Sequence, residues 1–349
     1  MLYKQLKGDV IQCTACSRYC AIREGDSGFC GVRANDKGKL KLIVDERPVS
    51  IWSDPIEKKP LFHFLPGSHS FSIGTLGCNF ACEFCQNFDI SQAPHEAKKK
   101  DPKKWREYFD NLVRQCQHWP ADRVVDSALA NKCKSISFTY NEPTIFAEYA
   151  VDVMKKARKH GLKGVFVTNG YESRECWDYI KPCIDAANID LKAYNQKFYS
   201  DLCKVPDFTK VKESIEYARE IGIWVEVTTL LIPGWNDDPH ELKQAAEWLA
   251  SVDPEMPWHV TAFHPDYKML DTPRTRPESL IRARQTGLDA GLKYVYVGNV
   301  GAAYSQYEST ACHSCGETLI ERYGMSVSQN KMKDGKCPKC KTEIKGVWK

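Results

Sequence analysis

The chain has 349 residues, 42% of them apolar and 27% charged, with a formal net charge of +4. This balance excludes a disordered chain, and 21 Gly with 18 Pro excludes a collagen-like one. No run of about 18 uncharged apolar residues marks a membrane span, the start MLYKQLKGDV lacks a signal peptide's apolar centre, and so mild a charge does not call for nucleic acid. A folded, soluble, cytoplasmic protein is expected.

Sixteen cysteines stand out. In a reducing compartment they point to metal or cluster ligation rather than disulfides. The first group, Cys13-x2-Cys16-x3-Cys20-x9-Cys30, has four thiols suited to zinc, the favoured reading, or to an Fe–S cluster that relays electrons. Gly25, Gly28 and Gly31 suit a loop that wraps a metal. A linker follows, with Lys58, Lys59 and His63 either capping the next unit or lining its entrance.

From Phe71 onward strands and helices alternate. β-branched and aromatic runs predict strands at Phe71–Leu76, Ser135–Tyr140, Gly164–Thr168, Ala187–Leu191, Trp224–Leu231, Trp258–Phe263 and Tyr294–Val297. Helices are predicted at about 103–117, 123–133, 144–160, 174–183, 209–221, 239–251 and 277–290. In the third of these, Ile145, Tyr149, Val153 and Ala157 recur every four residues, after Pro143 at the start and before Gly161 at the end. Such alternation implies an α/β fold with a parallel sheet, a partial (β/α)6 TIM-like barrel with small cysteine-rich metal modules at both ends. Three units are expected: residues 1–70, 71–303 and 304–349. The lysines at 98–100 read as a solvated stretch, and Cys116, Cys133, Cys176, Cys183 and Cys203 as small buried apolar residues.

Chemistry in such a sheet gathers at the carboxyl ends of the strands, where GCNFACEFCQN follows the first one. Its spacing is Cys78-x3-Cys82-x2-Cys85. No fourth Cys or His follows before His95, so a closed zinc site is a poor fit. Three thiolates on a cubane cluster leave one iron open to a small molecule. Gly298-Asn299 is a candidate for approach to that molecule, or only a turn. At the far end, Cys312-x2-Cys315-x21-Cys337-x2-Cys340 has the paired knuckles of a tetrahedral zinc site. That module would be structural, cover the barrel mouth or dock a partner.

The central motif, with Phe84 before its third cysteine, resembles the radical S-adenosylmethionine (SAM) superfamily. The resemblance implies that the open iron of a [4Fe-4S] cluster chelates SAM, and that one electron cleaves the sulfonium to a 5′-deoxyadenosyl radical that abstracts hydrogen from a substrate. The barrel is most similar to the pyruvate formate-lyase-activating enzyme type. On that likeness Asn87 and Asp89 match the family pattern, and Tyr140-Asn141-Glu142-Pro143 stands where the family has Gly-Gly-Glu-Pro. Glu142, Thr168, Asn169, Asp190, Lys192 and His264 are then expected to position SAM, with Phe84, Asn87 and Asn141 beside them. The stretch 54–67, CQNFDISQ, YVYVGNV and the two cysteine modules together resemble the AmmeMemoRadiSam-system enzymes. This implies Ammecr-type and Memo-type partner proteins and an electron donor such as flavodoxin or ferredoxin, and leaves the substrate open. Glycyl-radical activation is the alternative. A zinc-stabilised nucleic-acid or protein interaction module is the contrasting possibility.

Overall fold

The computed structural model describes residues 1–301 and 303–349. Its centre is an eight-stranded sheet: β1 (Ser50–Pro55), β2 (His69–Gly74), β3 (Ser135–Phe138), β4 (Lys163–Thr168), β5 (Ala186–Asp190), β6 (Trp224–Leu231), β7 (Trp258–Ala262) and β8 (Val295–Gly298), neighbours in that order. From β2 to β8 every pair is parallel. Helices cross back between successive strands, the arrangement of an incomplete TIM-like barrel. Ile136, Phe138, Val165, Phe166, Ala187, Ile189, Val225, Val227 and Val260 are fully buried, as expected of strands covered on both faces.

All seven predicted strands form, one more parallel strand than a six-unit barrel needs. β1 was not anticipated. It lies in the stretch expected to precede the barrel, yet it pairs antiparallel with β2 from Ser50↔Gly74 to Pro55↔His69. Its Pro55 closes an edge strand, where a missing N–H is tolerated. The helix predicted over 144–160 is an α-helix at Ala147–Ala157 between two 3-10 turns, closed by Gly161 at φ +76°. A further helix, Ala93–Lys100, carries the lysine run exposed in its last turn, where the helix dipole favours cations.

The amino-terminal module is a three-stranded sheet (Tyr3–Gln5, Ile11–Cys13, Ala21–Ile22) followed by a hairpin (Arg33–Asp36, Lys39–Leu42). A buried ion pair ties it to the barrel. Arg33 donates from both terminal nitrogens to Glu148, at 2.7 and 2.8 Å, and the backbone N–H of Leu2 donates to the same carboxylate at 2.9 Å. The guanidinium holds Glu148 down at about 2 against the cost of burial.

The carboxyl-terminal module is a small antiparallel sheet (Thr310–Ala311, Thr318–Tyr323, Ser326–Asn330). Arg322, buried, donates to the Phe62 carbonyl at 2.7 Å and to Thr310 Oγ1 at 2.8 Å. Val347 pairs with the linker, donating to the His63 carbonyl and accepting from the Leu65 N–H, both at 2.7 Å. The linker is fixed from the other side by Glu226, fully buried in β6, which accepts from the N–H groups of Phe62 and His63 and bonds His259 Nε2 at 2.7 Å. Among the described residues no helix is long and apolar enough to cross a membrane.

Candidate active site

The carboxyl ends of the parallel strands surround one cavity of about 480 Å³. Cys78, Cys82 and Cys85 line it from the loop after β2. That loop is shaped by Gly77, at φ +92°, where a Cβ would stand 2.7 Å from the Cys30 carbonyl oxygen. Asn141 braces it: its amide donates to the Gly77 carbonyl at 2.8 Å and to Thr75 Oγ1 at 3.1 Å, while its oxygen accepts from the Thr75 N–H. Asn87 donates to the Tyr140 carbonyl at 2.8 Å. Both asparagines thus hold loops together at the cavity wall.

Behind the next two strand ends lies a carboxyl pair that sequence reasoning half found. Glu142 accepts from the Thr144 N–H at 3.0 Å and from the Asn169 N–H at 2.8 Å. The hydroxyls of Thr144 and Thr168 each lie within 2.5–2.9 Å of both Glu142 Oε1 and Glu172 Oε1. The two hydroxyls carry two protons for these four contacts, so at least one of the two carboxyls is protonated. Consistently, burial and the neighbouring Glu172 push Glu142 up to about 8, and burial raises Glu172. Glu172 follows Asn169-Gly170-Tyr171, and only its fold neighbours reveal it. With its oxygens occupied, Glu142 orients Asn169 and the loop rather than reaching freely into the cavity.

A carboxyl whose folded pKa is raised stabilises the fold below its unfolded value, 4.5, and loses that contribution as pH rises to about 8. Unfolding of the wild type should therefore show a decline on the order of a few kcal/mol across that window. Glu172→Gln should flatten the profile. An unchanged slope would mean that the two groups do not share a proton.

Asn169 donates to Asn79 Oδ1 at 2.7 Å beside Cys78. Lys192 and Asp190 form an ion pair at 2.7 Å on the cavity wall, with the ammonium 5.8 Å above the Phe84 ring. Thr228, Leu230 and Thr261 continue the lining along later strands. His264 departs from expectation. It does not line the cavity, and its ring nitrogen turns outward toward the Pro265 carbonyl, 3.4 Å away. Just before it, the Phe263 N–H donates to Thr275 Oγ1 at 2.9 Å. Asn299, after β8 and at φ +59°, lines the cavity nearby.

At the mouth, Lys58, Lys59 and Tyr140 join Asn299 and Met325. Lys59 and Tyr140 both donate to Asp54 Oδ2, at 2.7 and 2.6 Å. Burial lowers Lys59 to about 8 against the pull of Asp54. His63, in contrast, is buried against the Tyr296 hydroxyl, 2.7 Å away. Met325 comes from the carboxyl-terminal hairpin, so that module reaches the barrel mouth.

The cysteine groups differ in aperture. The sulfurs of Cys312, Cys315, Cys337 and Cys340 all lie within 4.8 Å of one another, with opposed pairs at 3.6 and 3.7 Å. That suits a single tetrahedral ion, whose sulfurs at about 2.3 Å stand about 3.8 Å apart. Among the described residues no such close group arises from Cys78, Cys82 and Cys85, or from Cys13, Cys16, Cys20 and Cys30.

A parallel half-barrel with three cavity-lining thiols on the loop after its first parallel strand defines an enzyme built around an iron–sulfur cluster. The chain belongs to the radical SAM superfamily, whose family model matches residues 72–249. It is 40% identical, over 93% of its length, to an uncharacterised protein of Methanocaldococcus jannaschii, covering 91% of that protein. A putative glycyl-radical enzyme activating enzyme of the same organism is 24% identical over 68% of this chain and 81% of its own. Among solved structures, Streptococcus suis SuiB bound to S-adenosylmethionine aligns with 76% of this chain and 60% of its own, at 13% identity and a TM-score of 0.48.

The superfamily's cofactors are a [4Fe-4S] cluster and SAM, and the residues fit them. Three cysteines share one cavity wall with no fourth cysteine among its lining residues. Burial pushes Cys78 up and Cys85 to about 11, so these thiols need a cationic partner to ionise. Asn79 Nδ2 is buried without a hydrogen-bond partner beside Cys78. Cys203 does not line the cavity, but its carbonyl accepts from the Ala81 N–H at 3.1 Å, within the cluster loop. It backs the loop through its backbone carbonyl. Cys203→Ala should retain the full iron content, since its side chain lies outside the cavity that the three thiols line. Loss of iron in that variant would make Cys203 a ligand.

Proposed function

We propose that the chain is a radical SAM enzyme of the AmmeMemoRadiSam type, acting in the cytoplasm on a substrate admitted past Lys58, Tyr140, Asn299 and Met325. The observation that carries this reading is the convergence of the three thiols and the polar strand ends on one cavity. Cys78, Cys82 and Cys85 hold the cluster. When bound, it supplies the electron that cleaves SAM to methionine and a 5′-deoxyadenosyl radical, which abstracts hydrogen from the substrate.

The chain's own residues bind, orient and exclude water. Lys192 offers a cation for a carboxylate, and Asp190 an acceptor for an ammonium or ribose hydroxyl. Phe84 forms an apolar wall, and Asn169, set by Glu142 and Thr168, fixes the rim. Asn87 and Asn141 keep the cluster loop and the Tyr140 turn in register. Zinc at Cys312, Cys315, Cys337 and Cys340 stabilises the carboxyl-terminal unit from residue 304 onward, beside a barrel unit and an amino-terminal unit. A flavodoxin- or ferredoxin-type donor supplies electrons, and Ammecr-type and Memo-type proteins are the proposed partners.

The similarity to a putative glycyl-radical enzyme activating enzyme favours a second reading, in which the hydrogen comes from a protein glycine. Anaerobic protein, reductant and SAM should yield 5′-deoxyadenosine, and deuterium from the labelled true substrate should enter it. A persistent glycyl-radical EPR signal on a partner protein would select the second reading. No deoxyadenosine from fully reconstituted protein would remove both.

A further inference from the structure

We propose that the substrate carries an acidic group, a phosphate or a carboxylate, which Lys58 and Lys59 grip at the entrance of the cavity. Both lysines belong to the turn that follows β1, and both line the cavity. Asp54 gathers their ammonium groups, with Lys58 Nζ 2.9 Å from Oδ1 and Lys59 Nζ 2.7 Å from Oδ2. One carboxylate thus faces two cations. Tyr140 completes the cluster, its hydroxyl donating to Oδ2 at 2.6 Å and its ring centred 4.7 Å from Lys59 Nζ. Burial and the Asp54 charge push the Tyr140 phenol up, so it adds no negative charge. The cluster keeps a net positive charge that faces the cavity.

The carboxyls in the lining do not absorb that charge, because each is engaged elsewhere. Asp190 pairs with Lys192 at 2.7 Å, and Glu142 accepts from Thr144, Thr168 and the Asn169 N–H. Lys59 is the sharper case, since only 2% of its side chain is exposed. A buried cation costs stability unless its charge and its donors are matched. Its ammonium has three N–H bonds, and Asp54 takes one of them. Burial outweighs that one partner and brings Lys59 down to about 8. An oxyanion from a guest supplies both the missing acceptor and the missing charge. Lys58, with 42% of its side chain exposed, meets the same group from the solvent side. A cap for Asp54 alone needs a single ammonium, and Lys58 would serve. The two lysines stand between β1 and β2, whereas the three thiols stand after β2, so the acidic end is anchored apart from the cluster loop. Assigning that end to the substrate rests on the radical SAM reading; the anion site itself does not.

The probes are inorganic phosphate and acetate, each added at constant ionic strength to anaerobically reconstituted full-length protein isotopically labelled at lysine Cε. The Lys59 resonance, identified by its loss in Lys59→Met, should move saturably with one of them, and its titration midpoint should rise above about 8, because an anion favours the charged ammonium. Whichever probe acts at the lower concentration names the acid. Lys58→Ala, which leaves Lys59 paired with Asp54, should weaken binding of that probe about tenfold. Saturating SAM should leave the binding unchanged, since Lys192 serves the cofactor. Absence of a saturable shift with both probes, or equal affinity in Lys58→Ala, would overturn the proposal. Displacement of the probe by SAM would overturn it too, by giving the lysines to the cofactor. Should Lys59→Met fail to fold, calorimetry of the two probes on wild type and Lys58→Ala still decides. If deoxyadenosine forms but neither anion binds, only this inference falls; if an anion binds and no deoxyadenosine forms, the functional reading falls and the anion site stands.

Discussion

Cys82→Ala protein, reconstituted without oxygen and supplied with dithionite and SAM, should release no 5′-deoxyadenosine above a reagent blank. The expected effect is close to complete, because two thiolates cannot hold a four-iron cube against solvent at a cavity wall, and every later step depends on the electron it delivers. Chromatography of the quenched reaction gives the answer. The informative comparison is Lys192→Ala, which leaves all three sulfurs in place. That variant should keep its iron and bind SAM more weakly, so a cofactor titration separates loss of the cluster from loss of the pocket. Activity retained by Cys82→Ala would show that the cluster is held elsewhere.

The second large effect concerns the fold. Glu148→Ala leaves Arg33 with its charge buried and its carboxylate partner gone, and removes the acceptor for the Leu2 N–H. Breaking a buried pair from one side costs about 3–5 kcal/mol. The amino-terminal sheet should loosen first, since the ion pair joins it to the helix Ala147–Ala157. Thermal unfolding and limited proteolysis near residues 1–45 report it. Replacing both partners by apolar residues should recover much of the loss, because no orphaned charge then remains.

The parallel core was legible because strands buried on both faces read as uninterrupted apolar runs, and the cysteine trio because its spacing is unusual. Asp190, Lys192, Asn169 and Glu142 were found as strand-end residues, and all four line the cavity. What local pattern could not deliver was partnership. Glu172 looks like an ordinary loop glutamate until Thr144 and Thr168 are brought to it from two other segments. Glu226, a charge inside an apolar strand, makes sense only with the linker N–H groups above it. His264 was expected near SAM only from the family resemblance, and it stands outside the residues that line the cavity. β1 escaped notice because SIWSDP has neither strict alternation nor a turn signal that singles it out.

Met325 lines the mouth of the cavity from a hairpin whose base is gathered by Cys312, Cys315, Cys337 and Cys340 and pinned by Arg322. The shape of the entrance is thereby tied to anchors that lie outside it, so a change at Arg322 or among the four cysteines would be felt where a substrate passes.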